Sequence, residues 1–196
     1  LGAKVLTMSD SKGYMIDREG ITSEKLAHIK DIKNKRRGRI SEYLEKYPHA
    51  EFHEGIAPWV EAADMAFPCA TQNELSEEHA KALIDNGCLL VAEGANMPST
   101  KEAVELFRKH KLLFAPGKAS NAGGVATSGL EMTQNAMRYG WSTKEVDEKL
   151  KAIMNDIHTK CVEYGTEEDG YVDYVKGANI AGFVKVADAM LAQGVV

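Results

Sequence analysis

Three observations make the sequence an α/β protein, with a mostly parallel sheet followed by a helical tail. Short apolar runs alternate with helix patterns of about 10–15 residues, the rhythm of crossover units in a parallel sheet. Past Ser120 the helical spacing continues and strand-like runs stop. The 196 residues are 44% apolar and 27% charged, enough to build a core without disulfide staples.

In chain order, residues 4–9 (KVLTMS) form a strand-like run that stops at the polar turn Asp10-Ser11-Lys12-Gly13. Thr22-Ser23-Glu24 announces a helix. Leu26, Ile29, Ile32, Ile40, Tyr43, Leu44 and Tyr47 then recur at helical steps around a polar gap at residues 33–39, and this helix is expected to end before Pro48. Apolar runs follow at residues 50–53, 65–68, 88–92 and 112–115. Between the later ones lie a helix over residues 75–86, stopped by Gly87, and another opened by Ser99-Thr100-Lys101-Glu102 and reaching Lys109. Helical spacing then covers residues 123–139, 143–164 and 178–193, with Ser142-Thr143-Lys144-Glu145 capping the second. The expected division is residues 1–120 for the sheet and 121–196 for the helical segment.

Composition excludes several function classes. Twenty-four basic against 29 acidic residues give a net charge of −5, which argues against a nucleic-acid or anionic-membrane binder. No apolar run approaches the ~20 residues of a membrane span. Cys69, Cys88 and Cys161 offer no zinc spacing or disulfide framework; each reads as a buried free thiol, in keeping with a reducing, cytoplasmic compartment. The histidines show no metal-ligand spacing, so no metal site is expected. No GxSxG elbow, GxGxxG turn or GxxxxGK[ST] loop is present, and no catalytic constellation appears.

Ligands of a parallel α/β sheet bind beyond the carboxyl ends of its strands. Here the runs end in Asp10-Ser11-Lys12-Gly13, Pro68-Cys69-Ala70-Thr71-Gln72-Asn73, Glu93-Gly94-Ala95-Asn96-Met97-Pro98 and the segment from Pro116 to Gly124. Gly123 and Gly124 lead into a helix whose start could cradle a carboxylate or phosphate, with Ser128 a turn further on; tight helix packing is the alternative use of these glycines. Lys33, Arg36 and Arg39 lie in the basic run. A helix face, or a loop through Gly38, could present the arginines to a phosphate, whereas a solvated helix face is the plainer reading.

These loops carry a family resemblance. The motifs SDSKG (9–13), PCATQN (68–73), AEGANMP (92–98), APGKASNAGGVATSGLEMTQN (115–135) and GANIAGFVKVADAMLAQG (177–194) resemble the C-terminal part of hexameric, bacterial-type glutamate dehydrogenases, within the Glu/Leu/Phe/Val dehydrogenase family, across the whole chain. The resemblance implies a Rossmann-like coenzyme domain lacking its first strand–helix unit. It places that unit's Gly-rich turn, the catalytic lysine and the catalytic aspartate upstream of Leu1.

It also implies site residues. In NADP-using members Ser11, Lys33, Arg36 and Arg39 surround the 2′-phosphate at the strand end carrying Asp10, although an acid there usually favours the ribose diol of NAD. NADP is therefore expected, with NAD possible. Ala70, Thr71 and Gln72 would line the coenzyme groove, and Asn96 and Asn121 would hold the nicotinamide ribose or carboxamide. Val125 and Ser128 would meet the substrate, Ser128 donating to the side-chain carboxylate of glutamate. The helix over residues 179–190 resembles the segment that packs toward the N-terminal domain. The implied reaction oxidises glutamate to 2-oxoglutarate and ammonia, in a homo-hexamer, with no turnover expected from the 196-residue chain by itself. A stand-alone, non-catalytic nucleotide-binding module is the rival reading.

Overall fold

The structure, a computed structural model, describes residues 2–194, so Leu1, Val195 and Val196 lie outside it. The chain divides into two compact units, Leu1–Glu61 and Ala62–Val196.

The first unit holds an antiparallel sheet in the order β1 (Thr7–Asp10), β2 (Gly13–Ile16), β3 (Glu51–Glu54). This corrects the expectation that the first strand joins a parallel sheet. Asp10 pairs with Gly13 across Ser11 and Lys12, and so short a turn can only reverse the chain; a parallel return needs a long crossover. A Cβ on Gly13 would sit 2.1 Å from the His53 carbonyl oxygen, so glycine is required where β2 meets β3. β2 is buried along its whole length, which removes the alternation that would betray it in the sequence.

The helix expected over residues 26–47, ending before Pro48, is broken. Helix α1 (Ser23–Lys30), whose Lys25 amide donates to the Thr22 hydroxyl, widens into a π-helical turn at Asp31–Lys35. Arg37 then adopts φ 57°, and the chain restarts as a 3-10 turn (Ile40–Glu42) and helix α2 (Tyr43–Lys46). Met15, Ile29, Ile32, Ile40, Tyr43 and Ala50 form the core of this unit. Beside it Asp17, fully buried, accepts hydrogen bonds from the Tyr43 hydroxyl (2.6 Å) and the Glu19 amide (3.0 Å) and pairs with the Lys25 ammonium (2.8 Å).

The second unit holds the parallel sheet the sequence predicts, in the order β4 (Met65–Ala66), β5 (Leu90–Ala92), β6 (Leu113–Ala115). Helices α3 (Glu77–Asp85) and α4 (Lys101–Lys109) make the crossovers, N-capped by the Ser76 and Thr100 hydroxyls. Gly87, at φ +78°, turns the chain out of α3. Phe107 of α4 stacks on Phe114 of β6 at 5.4 Å.

Four helices follow: α5 (Gly117–Ser120), α6 (Gly123–Met137), α7 (Thr143–Gly165) and α8 (Tyr174–Gln193). The capping box at Ser142 and Glu145 starts α7 as expected. Glycine sets the α7–α8 approach, since a Cβ on Gly177 would meet the Cys161 carbonyl oxygen at 2.1 Å. Arg108 of α4 clamps Asp173 at the start of α8 through Nε (2.9 Å) and Nη2 (2.5 Å). Further along α8, Phe183, Val186, Met190 and Leu191 are exposed, as are Val125, Met132 and Met137 on α6. No helix of the described residues is long and apolar enough to cross a membrane. Cys88 and Cys161 are buried free thiols, but Cys69 is exposed, because it sits on the loop beyond β4 rather than in the sheet.

The Asp17 cluster sets an acid dependence. Burial by itself would raise this carboxyl, but the donors from Lys25, Tyr43 and the Glu19 amide outweigh it and lower it from 3.8 to about 2. The resulting stability, on the order of 2 kcal/mol, is present above 3.8 and disappears as pH falls through about 2. Thermal melts followed by circular dichroism should show Asp17→Asn less stable at neutral pH, with a flatter loss over that acid range. In the second unit, Gly177→Ala should cost about 1–3 kcal/mol by prising α8 off α7, read as a fall in Tm; an unchanged Tm would contradict the close approach.

Candidate functional site

The carboxyl ends of β4, β5 and β6 are stitched together by their own loops. Beyond β4, the Pro68 carbonyl accepts the amides of Gly94 (2.9 Å) and Ala95 (3.3 Å). Further out, the Asn73 amide donates to the Met97 carbonyl (3.0 Å) and the Leu75 amide to that of Pro98 (2.9 Å). A Cβ on Gly94 would lie 2.5 Å from the Cys69 sulfur, and one on Gly117 would lie 2.8 Å from the Ala95 carbonyl oxygen. Glycine is thus demanded at 117 by a neighbouring main chain, whereas at 94 a side chain would displace only the Cys69 thiol.

Glu93, at the end of β5, is only 5% exposed. Its Oε1 accepts the Ser99 amide at 3.2 Å and its Oε2 the Gly117 amide at 2.6 Å. Its carbonyl accepts the Ser120 hydroxyl at 2.6 Å. This residue was not singled out from the sequence, where the only available signal is an acid placed between a buried strand and a glycine.

Asn121, following α5, donates through Nδ2 to the Ala95 carbonyl and to Asn96 Oδ1, both at 2.9 Å. The structure therefore brings together the asparagines expected to hold the nicotinamide end. Their pairing commits both Nδ2 hydrogens of Asn121. It leaves Asn121 Oδ1 as an acceptor and Asn96 Nδ2 as a donor, the complement of a carboxamide. Ala70, Thr71 and Gln72 are exposed on the loop beyond β4, where the Ala70 amide donates to Glu74 Oε1 (2.8 Å). Val125 and Ser128 are exposed in the first turns of α6, and the Ser128 hydroxyl donates back to the Gly124 carbonyl at 3.3 Å. Neither is tied to the asparagine pair among the described residues.

In the first unit the other candidates gather around the β1–β2 turn. Asp10 Oδ2 accepts the Lys33 ammonium at 2.8 Å and the Ile40 amide at 3.0 Å, while Oδ1 accepts the Lys12 amide at 2.9 Å. Burial works to raise this carboxyl, but those donors prevail and hold it below its usual range. Arg39 Nη1 donates to the Ser11 hydroxyl at 3.0 Å. Arg36 is engaged by acids, one of which, Glu42, also accepts the Arg39 amide at 2.7 Å. The Arg36 guanidinium is shared between Asp31 (3.1 Å) and Glu42 (3.2 Å). Among the described residues the Arg39 guanidinium is paired with no carboxylate, so Ser11 and Arg39 offer a hydroxyl and a free fork-shaped cation, a donor set suited to a phosphate.

Comparison with known proteins gives this arrangement its context. The sequence model of the Glutamate/Leucine/Phenylalanine/Valine dehydrogenases matches residues 1–194. The chain is 62% identical over 196 residues to the glutamate dehydrogenase of Bacteroides thetaiotaomicron, covering 100% of this chain and 44% of that protein. It is 60% identical over 195 residues to the NAD(P)-specific glutamate dehydrogenase of Xylanibacter ruminicola, again covering 100% of this chain and 44% of the relative. It is also similar to the crystal structure of Plasmodium falciparum glutamate dehydrogenase, with a TM-score of 0.92 and 47% identity over 98% of this chain and 42% of that one. The chain thus spans less than half the length of the proteins it matches. It belongs to the Glutamate/Leucine/Phenylalanine/Valine dehydrogenase family.

Proposed function

We propose that this chain is the coenzyme-binding portion of a glutamate dehydrogenase, which converts L-glutamate, NAD(P)⁺ and water to 2-oxoglutarate, ammonia and NAD(P)H. The observation that carries the reading is the Asn96–Asn121 pair, fastened across the tips of adjacent parallel strands with one donor and one acceptor left over. That is where an α/β sheet receives a ligand, and those groups match a carboxamide. The coenzyme, when bound, supplies the hydride acceptor. The residues of this chain hold and orient it, with Ala70, Thr71 and Gln72 lining the coenzyme groove from the loop beyond β4 and Ser128 donating to the substrate carboxylate once turned from its own helix.

NADP is the favoured coenzyme. An uncommitted acid at the end of a strand would repel a 2′-phosphate and welcome a ribose diol. Asp10 is instead occupied by Lys33 and by the amides of Lys12 and Ile40, which supports a site of net positive character around Ser11 and Arg39. The exposed apolar residues of α6 and α8 suit contact with the rest of a longer polypeptide, and the homo-hexamer and cytoplasmic setting expected from the family belong to the same proposal.

Titrating the full-length protein with NADPH and NADH tests the reading. NADPH should bind more tightly, and Arg39→Ala should weaken it by about tenfold or more while changing NADH little, the loss of one charge-assisted fork. Arg36→Ala should move the same ratio by less than about threefold, because its partners are protein carboxylates. Equal losses for both coenzymes, or a larger effect at Arg36, would contradict the assignment.

A further inference from the structure

We propose that Glu93 is a positioning residue for the nicotinamide end of the coenzyme, an inference that rests on the function proposed above. Its carboxylate reaches two loops at once. Through the Ser99 amide it closes the loop that carries Asn96, and through the Gly117 amide it fixes the start of α5, beyond which lies Asn121. The Glu93 main chain reinforces the same join, donating to the Ala115 carbonyl at 3.1 Å and accepting the Ser120 hydroxyl. Asn96 and Asn121 meet at 2.9 Å because the segments that bear them end on opposite oxygens of one side chain.

The chemistry of the position requires an acid. Both partners are N–H donors, and a carboxylate offers two acceptors and no donor. A glutamine of the same shape would turn its NH₂ toward one of the amides, leaving two buried donors facing each other. No lysine or arginine pairs with Glu93 among the described residues, so the amides are what hold the buried charge. The join has little room to relax around an error, because Gly117 already lies against the Ala95 main-chain carbonyl more closely than a Cβ would allow. A displaced loop must therefore carry its asparagine with it.

The test is Glu93→Gln in the full-length protein, titrated with NADPH and with adenosine 2′,5′-bisphosphate, which has the 2′-phosphate end and lacks the nicotinamide. NADPH affinity should fall by about tenfold or more, the scale on which small misplacements of binding groups act, while affinity for the bisphosphate stays within about threefold. Phe107→Leu, which loosens the α4–β6 core without touching the loops, should lower Tm and leave the ratio of the two affinities unchanged. If Glu93→Gln weakens both ligands alike, or neither, the proposal is overturned. If Glu93→Gln does not fold, Glu93→Asp keeps the charge and both acceptors on a shorter arm; it should shift the ratio in the same direction, and an unchanged ratio overturns the proposal. Wild-type protein that binds neither ligand would remove the coenzyme reading itself, and this inference with it.

Discussion

A carboxylate buried at the end of β5, with two backbone amides as its donors, is the interaction on which the candidate site depends. The parallel strands are too short to fix their loops through the ladder: β4 and β5 pair over Met65–Ala66, and β5 and β6 over Leu90–Ala92. Order beyond the sheet must come from the loops themselves. It is supplied by Glu93, by main-chain bonds such as Gly94 to Pro68, and by glycines that let neighbouring loops touch. A group of small and polar residues is thereby held in one arrangement, which is what selective binding of a polar ligand asks for.

The first unit reaches a similar end by charge. Lys33 and Asp10 neutralise each other, and the same carboxylate also accepts the Ile40 amide where the chain restarts after the π-helical turn. Arg36 is absorbed by Asp31 and Glu42. What remains is Arg39, held by the Ser11 hydroxyl at the β1–β2 turn. Asp10 thus has a structural explanation that needs no ligand, and its presence does not oppose a phosphate nearby. Breaking the helix at Arg37 and Gly38 is the step that allows this. A continuous helix would carry Arg36 and Arg39 around one face; after the break the Arg36 guanidinium is bound by acids, while the Arg39 guanidinium pairs with no carboxylate among the described residues.

Much of this could be read from the sequence where local chemistry decides the structure. Thr22, Thr100 and Ser142 each cap the helix they announce, and the runs before Pro68, Glu93 and Pro116 become the parallel strands. The asparagines and Ser11 with Arg39 are candidates only through a family likeness, and the geometry adds which of their atoms stay uncommitted. Other features depend on partners distant in the chain. β2 carries no alternation to mark it as a strand because it is buried along its whole length. Whether Arg36 is free hinges on Asp31 and Glu42, and composition cannot show that they point at it. Glu93 looks like an ordinary loop acid until its donors, six and 24 residues away, are seen to converge on it.

The central claim is that paired side-chain amides at the tips of β5 and β6 receive the nicotinamide end of a dinucleotide. A crystal structure of the full-length protein grown with NADPH tests it most directly. The Asn96–Asn121 bond should remain intact, with the nicotinamide carboxamide or its ribose within hydrogen-bonding distance of Asn96 Nδ2 and Asn121 Oδ1. Coenzyme bound elsewhere, or the asparagines parted to admit it, would contradict the account.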